Sequence, residues 1–178
     1  RDLVEEFGRF QEVAQPPGKG QILRLPGLEG RTPTRVIVDP FGRTPPDSKL
    51  FVGIDKHPVL ILISEKAPGR QTMLLRERGA MVQAIASDFR GRFDPREILR
   101  VLGVLGLKSV FVEGGAETAR RFLEADTVDR LQLFTSKVVV GADGIPSPVT
   151  PDNLPAGFRE IQSSRFGEDR LTDYERCI

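Results

Sequence analysis

Hydrophobic positions in this chain fall into two alternating rhythms. "TRVIVD" (Thr34–Asp39), "PVLILISE" (Pro58–Glu65), "AMVQAIA" (Ala80–Ala86) and "KSVFVE" (Lys108–Glu113) are short runs rich in β-branched residues, the composition of strands. The second of these has no polar alternation, which predicts a strand buried on both faces. Between the runs lie segments of helical period. "RQTMLLRERG" predicts a short helix closed by Gly79. In "DPREILRVLGVLG" Asp94 is the expected N-cap, Pro95 the first helical residue and Glu97 the partner in a capping box. Ile98, Leu99, Val101, Leu102 and Leu105 form its apolar stripe, and Gly106 is placed to end it in a left-handed turn. "AETARRFLEA" predicts a further helix, "RLQLFTSKVVVG" a long strand, and Phe158–Phe166 and Leu171–Arg176 two closing strands. Near the start, Leu3, Val4, Phe7, Phe10 and Val13 suit a short amphipathic helix that Pro16 and Pro17 break.

Strand and helix alternate three times in the middle of the chain. Parallel strands need crossovers of this length, and such crossovers are right-handed. The expected fold class is therefore α/β, a sandwich with a mostly parallel sheet and antiparallel C-terminal strands. With 178 residues the chain suits one domain.

Composition narrows the chemistry. At 39% hydrophobic and 29% charged residues this is a globular composition, and a net charge of +1 offers no broad basic face for nucleic acid. No apolar run reaches the roughly 18 residues that span a bilayer, so no membrane partner is expected. One cysteine, Cys177, excludes an internal disulfide and suits a reducing cytoplasm. With one cysteine and one histidine, His57, neither a zinc site nor a Cys-His or Ser-His-Asp catalyst has enough ligands or bases. His57, just before Pro58, reads as a loop residue, and no metal is expected.

The turn "VEGGAE" carries the most chemistry. In open α/β sheets ligands lie beyond the carboxyl ends of the strands. Gly114 and Gly115 permit close approach to the backbone and positive φ. The amides of the following helical turn, with the helix dipole, suit a phosphate, and Thr118 adds a hydroxyl donor. Glu117 is the awkward member, because its carboxylate competes for the same amides. Glu113, at the rim of an apolar strand, is placed to accept hydrogen bonds from a polar ligand. A tight strand-to-helix turn without a ligand is the alternative reading.

"SVFVEGGAETARRFLEADTVDRLQLFTSKVVVGADG", "TRVIVDPFGRTPPDSKLF" and "RFGEDRLTDYER" together resemble the reductase domain of the bifunctional riboflavin-biosynthesis deaminase/reductase family, over roughly Arg24 to Arg176. The resemblance implies a dihydrofolate-reductase-like three-layer sandwich, a homodimer, and NADPH as cofactor. The implied reaction reduces 5-amino-6-(5-phosphoribosylamino)uracil, a phosphorylated pyrimidine, to its ribityl product. It implies that Glu113 contacts substrate and Arg24 its phosphate. Gly114 falls in the same cofactor turn, in which Gly115, Ala116, Glu117, Thr118, Ala119 and Arg120 wrap the pyrophosphate. Pro40 stands at a cofactor-side position where the family often has a small polar residue, leaving a backbone contact. On charge and location, Ser64 and Lys66 are candidates for the extra phosphate of NADPH. Arg43 is another, with a solvated turn arginine as the alternative. No residue is assigned as a catalytic acid or base, because hydride transfer is the cofactor's chemistry.

The family's opening strand ending in Ser-Leu-Asp-Gly, and a later one ending in Gly-x-x-Thr-x-x-x-Asp-Asp-Pro, have no match in "RDLVEEFGRFQEVAQPPGKGQ". Residues 1–23 are thus read as an atypical or truncated segment of a single domain covering residues 1–178. Two other readings follow: a same-fold reductase of another small substrate, and a non-catalytic nucleotide-binding or dimerisation domain.

Overall fold

The computed structural model describes residues 32–113, 115–139, 141 and 144–177. The helix expected over the first residues, Arg24 and Gly114 lie outside them. The order is β1 (Arg35–Val38), a 3₁₀ turn (Lys49–Phe51), β2 (Val59–Ser64), α1 (Gly69–Glu77), β3 (Met81–Ile85), α2 (Pro95–Val104), α3 (Ala116–Glu124), β4 (Arg130–Thr135), β5 (Phe158–Phe166) and β6 (Asp169–Arg176).

β2 is the axis of the first sheet. It pairs in parallel with β1 on one side (Val36 opposite Leu60) and β3 on the other (Leu62 opposite Gln83). All six of its residues are buried, and the pleat sends alternate ones to opposite faces. Leu60 and Leu62 join Ile85, Phe93, Ile98, Val101, Leu102 and Phe122, so α2 and α3 cover one face. Val59, Ile61 and Ile63 join Leu75 and Ala80, so α1 covers the other. Three layers result, and the unbroken apolar run in β2 is their cause.

α2 starts as its sequence suggests, with Asp94 accepting the Arg96 amide at 2.8 Å and Pro95 at the first position. Its ending also fits: Gly106, at φ +84°, takes the left-handed conformation that a residue with a side chain enters only at a cost. Two details differ. Glu97 does not close a capping box; Arg100, one turn on, holds its carboxylate at 2.6 and 2.7 Å. Leu105 stays half exposed, because the buried stripe ends at Leu102.

The second sheet is antiparallel, in the order β4-β6-β5. β5 and β6 form a hairpin closed by Gly167 and Glu168, with a register irregularity between Glu160 and Gln162. The long strand expected over Arg130–Gly141 ends at Thr135.

The larger correction concerns "KSVFVE". Residues 108–113 belong to no strand, and Phe111 is 67% exposed. β1 pairs only with β2 and β4 only with β6, so among the described residues the expected parallel strands and the expected antiparallel C-terminal strands form two separate three-stranded sheets. The physical reason is the ladder. A β-branched run becomes a strand only when a neighbour takes its backbone hydrogen bonds, and no described strand stands beside this one.

Candidate functional site

The carboxyl ends of β1, β2 and β3 and the N-terminus of α3 lie at one edge of the parallel sheet. β1 ends in Asp39, whose buried carboxylate organises the turn that follows. It accepts the amides of Arg43 (2.9 Å) and Thr44 (2.7 Å) and the Thr44 hydroxyl (2.7 Å). Burial pushes its pKa up, but the Thr44 hydroxyl, the two amides and the Arg43 charge outweigh that and hold it below the usual carboxylate range. The Pro40 carbonyl accepts the Ser64 amide at 3.0 Å, which fixes this turn over the end of β2.

β2 ends in Ser64, and here the structure answers the sequence. The Ser64 hydroxyl is buried against the Ser87 hydroxyl (2.8 Å) and accepts the Lys66 amide (3.2 Å). Its hydroxyl therefore shapes the turn, while Lys66 beside it is exposed. β3 leads into a second carboxylate-tied turn. Asp88 accepts the amides of Arg90 and Arg92, both at 2.8 Å, and the Arg92 Nε–H at 2.9 Å. The Arg92 amide is the strongest of several contacts that hold this exposed carboxyl below its ordinary pKa.

α3 begins at Gly115, an exposed N-cap with φ −65° and ψ 170°, so the turn does not use glycine's left-handed freedom. What glycine supplies is room. Among the described residues, a Cβ built there would meet nothing within 4 Å, and no side chain caps the helix. Glu117 does not occupy the amides either, since its carboxylate turns along the helix to the Arg120 guanidinium. The first-turn N–H groups of α3 thus face outward, carrying the positive end of the helix dipole. Arg121 anchors the helix by donating to the Phe93 carbonyl. A cavity of about 140 Å³ opens beside this terminus, lined by Val38, Arg92, Phe93, Pro95, Glu117 and Thr118 among others. The end of β1 and the start of α3 therefore share one recess.

Of the residues singled out in the sequence, Pro40, Ser64, Lys66 and the Gly115–Arg120 segment lie on this edge. Glu113 is exposed in the unpaired segment just before it. His57 sits in a bend at the opposite ends of the strands, where its carbonyl accepts from Arg35. Among the described residues no group of three His, Cys, Asp or Glu side chains could hold a metal ion, and no helix is long and apolar enough to cross a membrane. Sequence reasoning assigned no role to Asp39, Asp88, Ser87 or Arg121. "DPFGRT" carried a usable signal, because an aspartate ahead of Pro-x-Gly is a turn former that bonds nearby amides.

A three-layer α/β sandwich with an uncapped helix N-terminus at the carboxyl-end edge of its parallel sheet fits the dihydrofolate-reductase-like class, and the solved structures that superpose on it place the fold there. Several solved structures share the fold, two of which illustrate the likeness. A deaminase/5-amino-6-(5-phosphoribosylamino)uracil reductase from Thermotoga maritima superposes with a TM-score of 0.60 at 24% identity, covering 84% of this chain and 39% of that one. A pyrimidine reductase-like protein from Corynebacterium diphtheriae gives 0.64 at 18% identity, covering 82% and 62%. The family model for the RibD C-terminal domain matches residues 7–172, and the chain belongs to that family. It is 28% identical over 156 residues to the 2,5-diamino-6-ribosylamino-4(3H)-pyrimidinone 5′-phosphate reductase of Methanothermobacter thermautotrophicus, covering 85% of this chain and 69% of that protein. For the Aquifex aeolicus protein of the same name the identity is 27%, covering 83% and 66%. The riboflavin biosynthesis protein RibD of Bacillus amyloliquefaciens is 28% identical over 139 residues, and the match spans 35% of its length.

Proposed function

We propose that this chain is an NADPH-dependent reductase of a phosphorylated ribosylaminopyrimidine in riboflavin biosynthesis; the names of its relatives carry the reductase activity and the pathway, and the coenzyme follows from the resemblance and the site. The observation that carries the reading is the start of α3: open space at Gly115, outward amides, and a Glu117 side chain engaged by Arg120. These features suit a pyrophosphate, which needs backbone donors, positive potential and no competing carboxylate. The backbone from Gly115 to Arg120 would hold the pyrophosphate, with the Thr118 hydroxyl and the Pro40 backbone beside it. When bound, the cofactor would supply the hydride that reduces C1′ of the ring-opened ribose, a proton from solvent completing the ribitylamine. Protein residues then bind and orient: Glu113 accepts from the pyrimidine, and Arg24 takes its phosphate by charge-assisted hydrogen bonds. The homodimer implied by the resemblance and the cytoplasmic location that the single cysteine suits belong to the same proposal.

A second reading has its own support. With residues 108–113 in no ladder and β1 and β4 unpaired on one side among the described residues, a nucleotide-binding domain without turnover also fits. One experiment separates them. NADPH binding is measured by calorimetry, and NADPH consumption is followed by absorbance with 5-amino-6-(5-phosphoribosylamino)uracil and with the 2,5-diamino pyrimidinone analogue. Binding with consumption supports the reductase, binding alone supports the second reading, and no binding overturns both.

A further inference from the structure

Two turns at the ligand edge touch each other across the end of β2. Asp39 ties the first, residues 39–44, and Asp88 ties the second, residues 88–92. They meet where the Phe41 ring lies on Gly91. A Cβ on Gly91 would stand 2.4 Å from Phe41 Cζ, and Gly91 has φ +75°. A side chain there meets both a steric and a conformational barrier. On the same ring lies Arg43, its guanidinium carbon 5.0 Å from the ring centroid. Arg43 is therefore held at two points: its amide by Asp39, and its guanidinium by a ring that Gly91 seats. Among the described residues that guanidinium donates no hydrogen bond, although Asp39 lies near enough for its carboxyl to feel the charge.

We propose that Arg43 determines cofactor specificity by recognising the phosphate monoester on the adenosine ribose that distinguishes NADPH from NADH, and that Phe41 and Gly91 position it. The proposal rests on the cofactor reading above. A planar guanidinium with free donors matches a phosphate in two parallel hydrogen bonds, and stacking on a ring removes rotamer freedom before the ligand arrives. Ser64 suits this role less well, because its hydroxyl is buried and already bonded to Ser87 and the Lys66 amide. Lys66 is the remaining competitor, as a single point charge.

The test measures dissociation constants of NADPH and NADH for the full chain and for Arg43→Ala, Arg43→Lys, Phe41→Ala and Lys66→Ala, with thermal melts as a fold check. The wild type is expected to prefer NADPH. Arg43→Ala should lower that preference about tenfold or more, Arg43→Lys less, and Phe41→Ala about threefold by freeing the guanidinium. Phe41 is half exposed, so its loss leaves the core intact. A wild type that binds both coenzymes equally overturns the proposal, as does an Arg43→Ala variant with the preference unchanged. A preference that falls only in Lys66→Ala does so too. A wild type that binds neither coenzyme overturns the cofactor reading, and this assignment with it.

Discussion

Replacing Gly115 by aspartate separates the ligand role of the α3 N-terminus from its structural role. Gly115 has extended backbone angles that any residue adopts, and a Cβ there meets none of the described residues within 4 Å. The variant should fold. Aspartate is in fact a better N-cap than glycine by a few tenths of a kcal/mol, and its charge favours the helix dipole by about 0.3–1 kcal/mol. The ligand experiences the opposite effect. The new carboxylate would occupy the outward amides and set a negative charge about 5 Å from the pyrophosphate. At an effective dielectric constant of about 20, one such pair of charges costs about 3 kcal/mol, or roughly two orders of magnitude in affinity. Calorimetric titration of NADPH, alongside a thermal melt, reads both effects. The expected outcome is a melting temperature unchanged or slightly raised and a dissociation constant raised about 100-fold at low salt. Gly115→Asn, which caps without charge, should lose clearly less. Equal NADPH affinity in wild type and Gly115→Asp would refute the placement of the pyrophosphate at this helix. A matched loss in melting temperature would refute the claim that the position is structurally free.

Other outcomes follow from the same geometry. Asp39→Asn should destabilise the chain by about 1.5–3 kcal/mol in urea at neutral pH, because charge-assisted bonds to the Thr44 hydroxyl and two amides are weakened. Since the folded pKa of Asp39 lies below its unfolded value of about 3.9, its contribution is present above that pH and disappears as pH falls through the folded pKa. The wild type should therefore lose more stability than Asp39→Asn between about pH 5 and the folded pKa, and parallel acid profiles would refute this. Leu62→Ala, at a fully buried position in the middle of β2, should cost about 2–5 kcal/mol by chemical denaturation. Phe111→Ser should change stability by less than about 0.5 kcal/mol, and amides 109–113 should exchange as fast as those of loops, if this segment stands outside a sheet as it does here.

Much of the molecule was legible in the sequence where the signal is local. The unbroken "VLILIS" run gave a strand buried on both faces because its neighbours along the chain supply helices for both sides. "DPREILRVLGVLG" gave a helix with its start and stop because capping is decided within a few residues. The open position at Gly115 was legible because room at the start of a helix is written as an absent side chain. Partner choice was not legible. Glu97 had two possible partners, and its short reach to Arg100 prevailed over the capping box. That Ser64 bonds Ser87, 23 residues away, was likewise not visible in its local sequence.

By itself, then, the sequence determined the elements of the parallel half, their order, and the glycine turn that opens α3, because each depends on spacing within one short segment. Tertiary structure alone decided that "KSVFVE" stands outside any described ladder, that Asp39 and Asp88 tie two turns, and that Phe41 meets Gly91 50 positions along the chain. The reason is that a strand needs a neighbour for its hydrogen bonds, and a ring needs a surface to rest on. Both partners are brought in by the fold from places that no local pattern can see.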